Sequence, residues 1–89
     1  MKSTTSKSFR KMKKALAKDI QKKAQQQYKL FKENPYHSSL DFKKIQRKKT
    51  YHSIFISEHW QAIGVEEDDT IIWFWIGSHE EYNNLINQL

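Results

Sequence analysis

Ile71-Ile72-Trp73-Phe74-Trp75-Ile76-Gly77-Ser78-His79-Glu80-Glu81-Tyr82 is the stretch that decides how this chain folds. Side chains alternate across a strand, so Ile71, Trp73 and Trp75 go to one side and Ile72, Phe74 and Ile76 to the other. Both sets are large and apolar, which predicts a strand lying mid-sheet with both faces covered. Gly77 then breaks the strand. Ser78 and Glu81 stand at capping-box spacing and predict a helix start immediately after it. His79 falls in the first turn of that helix, beside the end of a rigid strand, where a catalytic group could be held. Tyr82, Leu85, Ile86 and Leu89 form the buried stripe of the terminal helix.

Upstream of this stretch, the acidic run Glu66-Glu67-Asp68-Asp69 reads as a turn. Before it, His52–Ser57 and Trp60–Val65 read as a hairpin around Glu58-His59. Leu40, Phe42 and Ile45 suggest a short edge strand, with Lys43 and Lys44 discouraging further pairing. Gln46–Thr50 is a basic turn. In residues 8–34, Phe9, Met12, Leu16, Ile20, Ala24, Tyr28 and Phe31 recur at helical steps. A single helix of that length is unusual in a small domain, which favours a hairpin broken near Ala17–Asp19, with Asp19 as the second helix's cap. That helix stops at Asn34-Pro35, because proline disfavours helical geometry in the residue before it. Residues 1–7 are expected to fray. The sum is a single α+β domain over residues 1–89: an N-terminal helical hairpin packed on a four-stranded, mostly antiparallel sheet, with a short C-terminal helix.

Charge is divided along the chain. All 16 Lys and Arg lie in residues 1–50, with only Asp19, Glu33 and Asp41 as acids, whereas residues 51–89 hold seven acids and no Lys or Arg. Such segregation either steers a polyanion to the N-terminal half or is simply a solvated lysine-rich helix face. Lys11, Lys14, Lys18 and Lys22 would suit phosphate backbones, with salt-dependent affinity and little sequence preference. Eighty-nine residues allow one small core without a cofactor cavity. The chain has no cysteine, hence no disulfide and no thiolate metal site. With no signal-peptide pattern and no stretch near the ~20 apolar residues of a membrane span, a reducing cytoplasm is the expected compartment. His37, His52 and His59 are dispersed without ligand spacing, so no metal site is expected.

Three stretches, taken together, resemble the RelE/ParE superfamily of toxins from type II toxin–antitoxin pairs. Phe31–Lys43 is similar to the family's helix-to-first-strand connection, His59–Val65 to its third strand, and Ile71–Leu85 to the last strand and terminal helix of a cytotoxic translational repressor-like subgroup. The resemblance implies a compact toxin silenced by a cognate antitoxin protein, with no cofactor. Many relatives cut mRNA on the ribosome; the ParE branch poisons DNA gyrase instead. It also exposes a departure. Relatives usually carry Arg where this chain has Gln61, and often Arg where it has Phe55. Glutamine can donate a hydrogen bond to a phosphate but brings no charge.

Metal-independent RNA cleavage needs an activated 2′-hydroxyl, a protonated leaving oxygen and a stabilised phosphate. With the resemblance in hand, His79 is the expected acid or base. Tyr82 shares its helical face and either stacks on a base, donates its phenol, or belongs to the core. Lys43 and Lys44 alternate on an edge strand, so one faces the sheet surface that carries the site. Lys44 is the candidate to replace the missing charge at Gln61, and Lys43 a candidate RNA contact; the plainer reading is a pair of edge-strand gatekeepers. Trp60, Trp73 and Trp75 either stack nucleobases or pack the sheet. The expected function is a ribosome-dependent mRNA endonuclease, attenuated by Gln61. The alternatives are an inactive pseudo-toxin that still binds antitoxin and a gyrase inhibitor.

Overall fold

A computed structural model describes residues 1–45 and 50–88. The basic turn expected at Gln46–Thr50 therefore lies almost wholly outside the described residues, as does Leu89 of the terminal stripe. The elements are β1 (Lys2–Thr5), α1 (Lys7–Lys14), α2 (Lys18–Glu33), a 3-10 turn (Ser38–Leu40), β2 (Lys43–Lys44), β3 (Tyr51–Ser57), β4 (Trp60–Glu67), β5 (Thr70–Ser78) and α3 (His79–Ile86). They build one five-stranded sheet of order β1-β5-β4-β3-β2. Every pairing is antiparallel except β1 with β5.

The fifth strand corrects the expected four. Residues 2–5 pair along β5 from Thr70 to Trp73, where fraying was expected. The mid-sheet position of β5 needs a partner on each edge, and β4 supplies only one. Main-chain hydrogen bonds hold β1 at both ends, from Lys2 N–H to the Asp69 carbonyl (3.0 Å) and from Ser6 N–H to the Trp73 carbonyl (2.9 Å). Side chains add to this: the Trp73 indole N–H donates to Ser3 Oγ (3.0 Å) and Arg10 Nη1 donates to the Thr5 carbonyl (2.6 Å).

The helical hairpin breaks at residues 15–17, earlier than the expected Ala17–Asp19, and by another device. α1 is capped by Ser6, whose hydroxyl accepts the Phe9 N–H. Ala17 stands at the N-cap of α2 without a side-chain hydrogen bond, and Asp19 lies inside the first turn. Its carboxylate there complements the positive end of the helix rather than capping it. The turn is instead tied by Gln21, whose amide donates to the carbonyls of Leu16 (2.8 Å) and Lys14 (3.2 Å). α2 ends at Asn34 as expected, and Asn34 Oδ1 accepts the Tyr36 N–H.

The core lies between this hairpin and one sheet face. Phe9, Ala24, Phe31, Leu40, Ile54, Ile56, Ala62, Ile71, Trp73 and Ile76 form its cluster. The Phe31 ring meets Trp73 and Phe42 edge-on, with centroids 5.2 and 5.0 Å away. Gly64 makes room for this: a Cβ there would fall 2.7 Å from both Ile71 Cγ2 and Trp73 Cε3. The simple alternation expected of β5 fails at one point. Ile63 faces Trp75 while Gly64 faces Trp73, so Phe74 is an extra residue in the ladder, a β-bulge. Past it the buried set changes parity, from Ile71 and Trp73 to Ile76, and Trp75 is left half-buried outside the cluster.

Candidate functional site

Three cross-strand neighbours form a row on the sheet face opposite the hairpin: Phe55 of β3, Gln61 of β4 and Gly77 of β5. Ala62, on the next pleat, belongs to the core cluster, so Gln61 points away from it. The row is more aromatic than cationic. Phe55 is 39% exposed, and the Trp75 indole lies across Gly77, so that a Cβ at Gly77 would come within 2.6 Å of Trp75 Cζ2. Gln61 Oε1 is buried and has no hydrogen-bond partner among the described residues. Such an unpaired carbonyl typically costs about 1–3 kcal/mol.

His79 follows this row directly. Ser78 caps α3 as the spacing predicted: its Oγ accepts the Glu81 N–H (3.2 Å), while Glu81 Oε1 accepts the Ser78 N–H (3.2 Å). The His79 N–H donates to the His59 carbonyl at 2.7 Å. The β3–β4 turn and the start of α3 are thereby fastened together, and two imidazole-bearing residues share one end of the sheet. The His79 side chain is exposed, with its ring stacked on that of Tyr82 (centroids 5.9 Å apart, 14° between planes). Tyr82 is itself buried, 5% exposed. It supports the imidazole from below.

The other predicted residues are distributed differently. Lys43 pairs with Ser53, in the row that continues through Ile63 to Trp75, so it stands on the Gln61 side of the sheet. Its Nζ lies 3.3 Å from Asp41 Oδ2. Lys44 pairs with His52, on the pleat that carries Ile54 and the core, which separates it from Gln61. Lys11, Lys14, Lys18 and Lys22 are all exposed on the helical hairpin, across the sheet from Gln61. Trp73 is core, Trp60 is packed against the core, and only Trp75 borders the row.

One histidine carries more than the sequence suggested. His52 is buried on β3 with the Phe42 ring stacked on it at 4.7 Å. Its Nε2 is 3.5 Å from Glu66 Oε1, and its Nδ1 is without a partner among the described residues. Burial pulls its pKa below the ordinary histidine value; Glu66 opposes that shift and Lys44 adds to it. Phe42 and Glu66 are remote from His52 in sequence, so no local pattern announces the site. Among the described residues no group of three or more His, Asp or Glu side chains gathers to hold a metal ion, and no helix is long and apolar enough to cross a membrane.

The profile of the ParE-like toxin domain family matches residues 18–84. The chain belongs to this family, and so to the RelE/ParE superfamily of toxins. Its fold is similar to that of the RelB–RelE antitoxin–toxin complex from Methanococcus jannaschii, at 20% identity over 92% of this chain and 96% of that one (TM-score 0.74). It is similar as well to the RelE–RelB complex from Pyrococcus horikoshii, at 12% identity over 88% and 93% (TM-score 0.71). YafQ from E. coli matches at 19% identity over 90% and 94% (TM-score 0.71). No curated protein sequence gives a significant match.

Proposed function

We propose that this chain is the toxin of a type II toxin–antitoxin pair, acting as a weak, metal-independent, ribosome-dependent mRNA endonuclease. The observation that carries the reading is the placement of His79. It is an exposed imidazole on a capped helix start, backed by Tyr82 and tethered to the β3–β4 turn, two residues beyond the Gly77 that neighbours Gln61. His79 acts as the acid or base. Gln61 donates its amide N–H to the scissile phosphate, and Tyr82 positions the imidazole. The existence of two structurally similar toxins in complexes with RelB antitoxins supports an antitoxin as the partner.

Weakness follows from the surroundings of Gln61. Its cross-strand neighbours are a phenylalanine and a glycine covered by an indole, so no cation adjoins it within its row. Lys43 is the described lysine on the same sheet side, two strands away on β2. Removing a preorganised stabiliser of charge typically costs about 2.7–4 kcal/mol, or two to three decades in rate. A second reading rests on the same observation: a chain that binds antitoxin without cutting RNA. Inducible expression with pulse-labelled protein synthesis separates them. The first reading expects translation to fall in cells carrying the wild-type chain and to recover with His79→Ala. Translation unaffected by the wild-type chain at high expression removes the endonuclease and leaves the binder.

A further inference from the structure

Four large apolar side chains are exposed among the described residues: Met1, Met12, Tyr36 and Phe55. Of these only Phe55 lies on a strand. A ring there is held more firmly than one at a terminus, on a helix surface or in a loop. Its carbonyl accepts from Gln27 Nε2 at 2.7 Å, which pins β3 to α2 at that residue. The β3–β4 register then shifts between Phe55 and Ser57, a bulge of the kind that re-aims a side chain beside a site. No aromatic ring packs on Phe55 among the described residues. The fold thus fixes this phenyl group in place and leaves its ring uncovered.

Gln61 is the cross-strand partner of Phe55, and neighbours of this kind stand about 4.5–5.5 Å apart at Cα. On the far side of Gln61 the row ends on Gly77, which the Trp75 indole covers. Trp75 is half-buried and spent on that packing; Phe55 is the ring left open. The row therefore offers an amide and apolar ring surface with no cation in it, which matches a flat, uncharged group. We infer that Phe55 stacks one base of single-stranded RNA, that of the nucleotide whose phosphate Gln61 contacts; this role rests on the endonuclease reading proposed above. The short distance between the two residues lets one nucleotide reach both. Stacking on an aromatic side chain accepts any base, because every base has a π-face. It also adds affinity without a phosphate contact, so this share of the binding releases no counterions and is insensitive to salt. Phe55 in this way offsets part of what the uncharged Gln61 cannot supply.

The test uses the full chain with 13C-labelled phenylalanine. The probe is a 2′-O-methylated hexa-adenylate, whose blocked 2′ oxygens prevent cleavage, and the control is an abasic strand of equal length and charge. The hexa-adenylate is expected to shift the ring signals of Phe55, and the abasic strand to leave them in place. Phe55→Ala should weaken the hexa-adenylate roughly five- to 150-fold without changing the affinity for the abasic strand. Phe55→Leu keeps apolar bulk but no π-face and should show most of the same loss, whereas Phe55→Trp should bind at least as tightly as the wild type. The position is exposed, so the amide spectra of all three variants should remain those of the folded chain. Equal binding by the abasic strand, Phe55→Leu binding as tightly as the wild type, or shifts confined to the α2 side at Ile20 and Lys23 overturns the inference. Cleavage of mRNA is scored separately. Cleavage without base-dependent binding removes the stacking role alone; base-dependent binding without cleavage keeps it and removes the endonuclease.

Discussion

The two faces of this sheet were put to opposite uses. The face under the helical hairpin is filled by Trp73, Phe31, Ile71 and their neighbours, and its outer surface carries the exposed lysines of α1 and α2. The other face is half-covered and leads from Phe55 and Gln61 to His79 at one end of the sheet. One stabilises and presents charge; the other keeps a buried carbonyl without a partner among the described residues, and an exposed imidazole. Segregated charge in the sequence left open whether the N-terminal half carries a surface for a polyanion or only a solvated helix face. The fold places the lysines of α1 and α2 and the His79 row on opposite sides of the sheet, so an RNA bound by both must wrap an edge, and affinity and catalysis should be separable by mutation.

That separation can be broken or sharpened in steps. The largest effect is expected in the core: Trp73→Ala removes the ring against which Phe31 packs and should destabilise the chain by about 3–5 kcal/mol in urea unfolding. Since Trp73 also bonds Ser3, β1 amides should lose exchange protection in the same variant. Gly64→Ala attacks the core face from the other direction. Its Cβ meets Trp73 and Ile71 at 2.7 Å, and overpacking of this kind costs about 1–3 kcal/mol. Neither change touches the residues of the opposite face directly.

A smaller effect is expected from acid. His52 has a folded-state pKa below its unfolded value of 6.5. Between the two values the unfolded chain binds more protons, so stability falls as pH drops below about 6.5 and is flat above it with respect to this group. Melting temperatures from pH 7.5 downward should show that loss, and His52→Phe should flatten it. Glu66, which favours the charged ring, limits its size. Smallest of all, Lys11→Ala with Lys14→Ala should change stability by less than about 0.5 kcal/mol, being exposed helix positions. The same pair should reduce the salt dependence of RNA binding.

How much of this could be read from the residues depends on how local each cause is. The capping box at Ser78 and Glu81, the stop at Asn34-Pro35 and the β3–β4 hairpin are set by neighbours within a few positions, and the sequence displays them. β1 was invisible because Lys2–Thr5 has no apolar periodicity; it is held by main-chain bonds to β5 and by Ser3, which answers an indole seventy residues away. The bulge at Phe74 exists only in the count against β4. Parity along β2 is likewise a matter of register: nothing in Lys43-Lys44 says which lysine shares the face of Gln61 until Ser53 and His52 are seen opposite them. His79 was legible as a helix-start imidazole. That Tyr82 lies beneath it, and that the His59 carbonyl ties it down, required the fold.

The sheet face of Gln61 and His79 is proposed to be an intact but under-charged catalytic surface. The direct measurement is mRNA cleavage by the purified chain on programmed ribosomes, comparing wild type, Gln61→Arg, and Gln61→Arg combined with His79→Ala. The prediction is weak cleavage by the wild type, a gain of about two to three decades with Gln61→Arg, and loss of that gain when His79 is also replaced. Cleavage that stays at background in all three proteins, with each one folded, contradicts it.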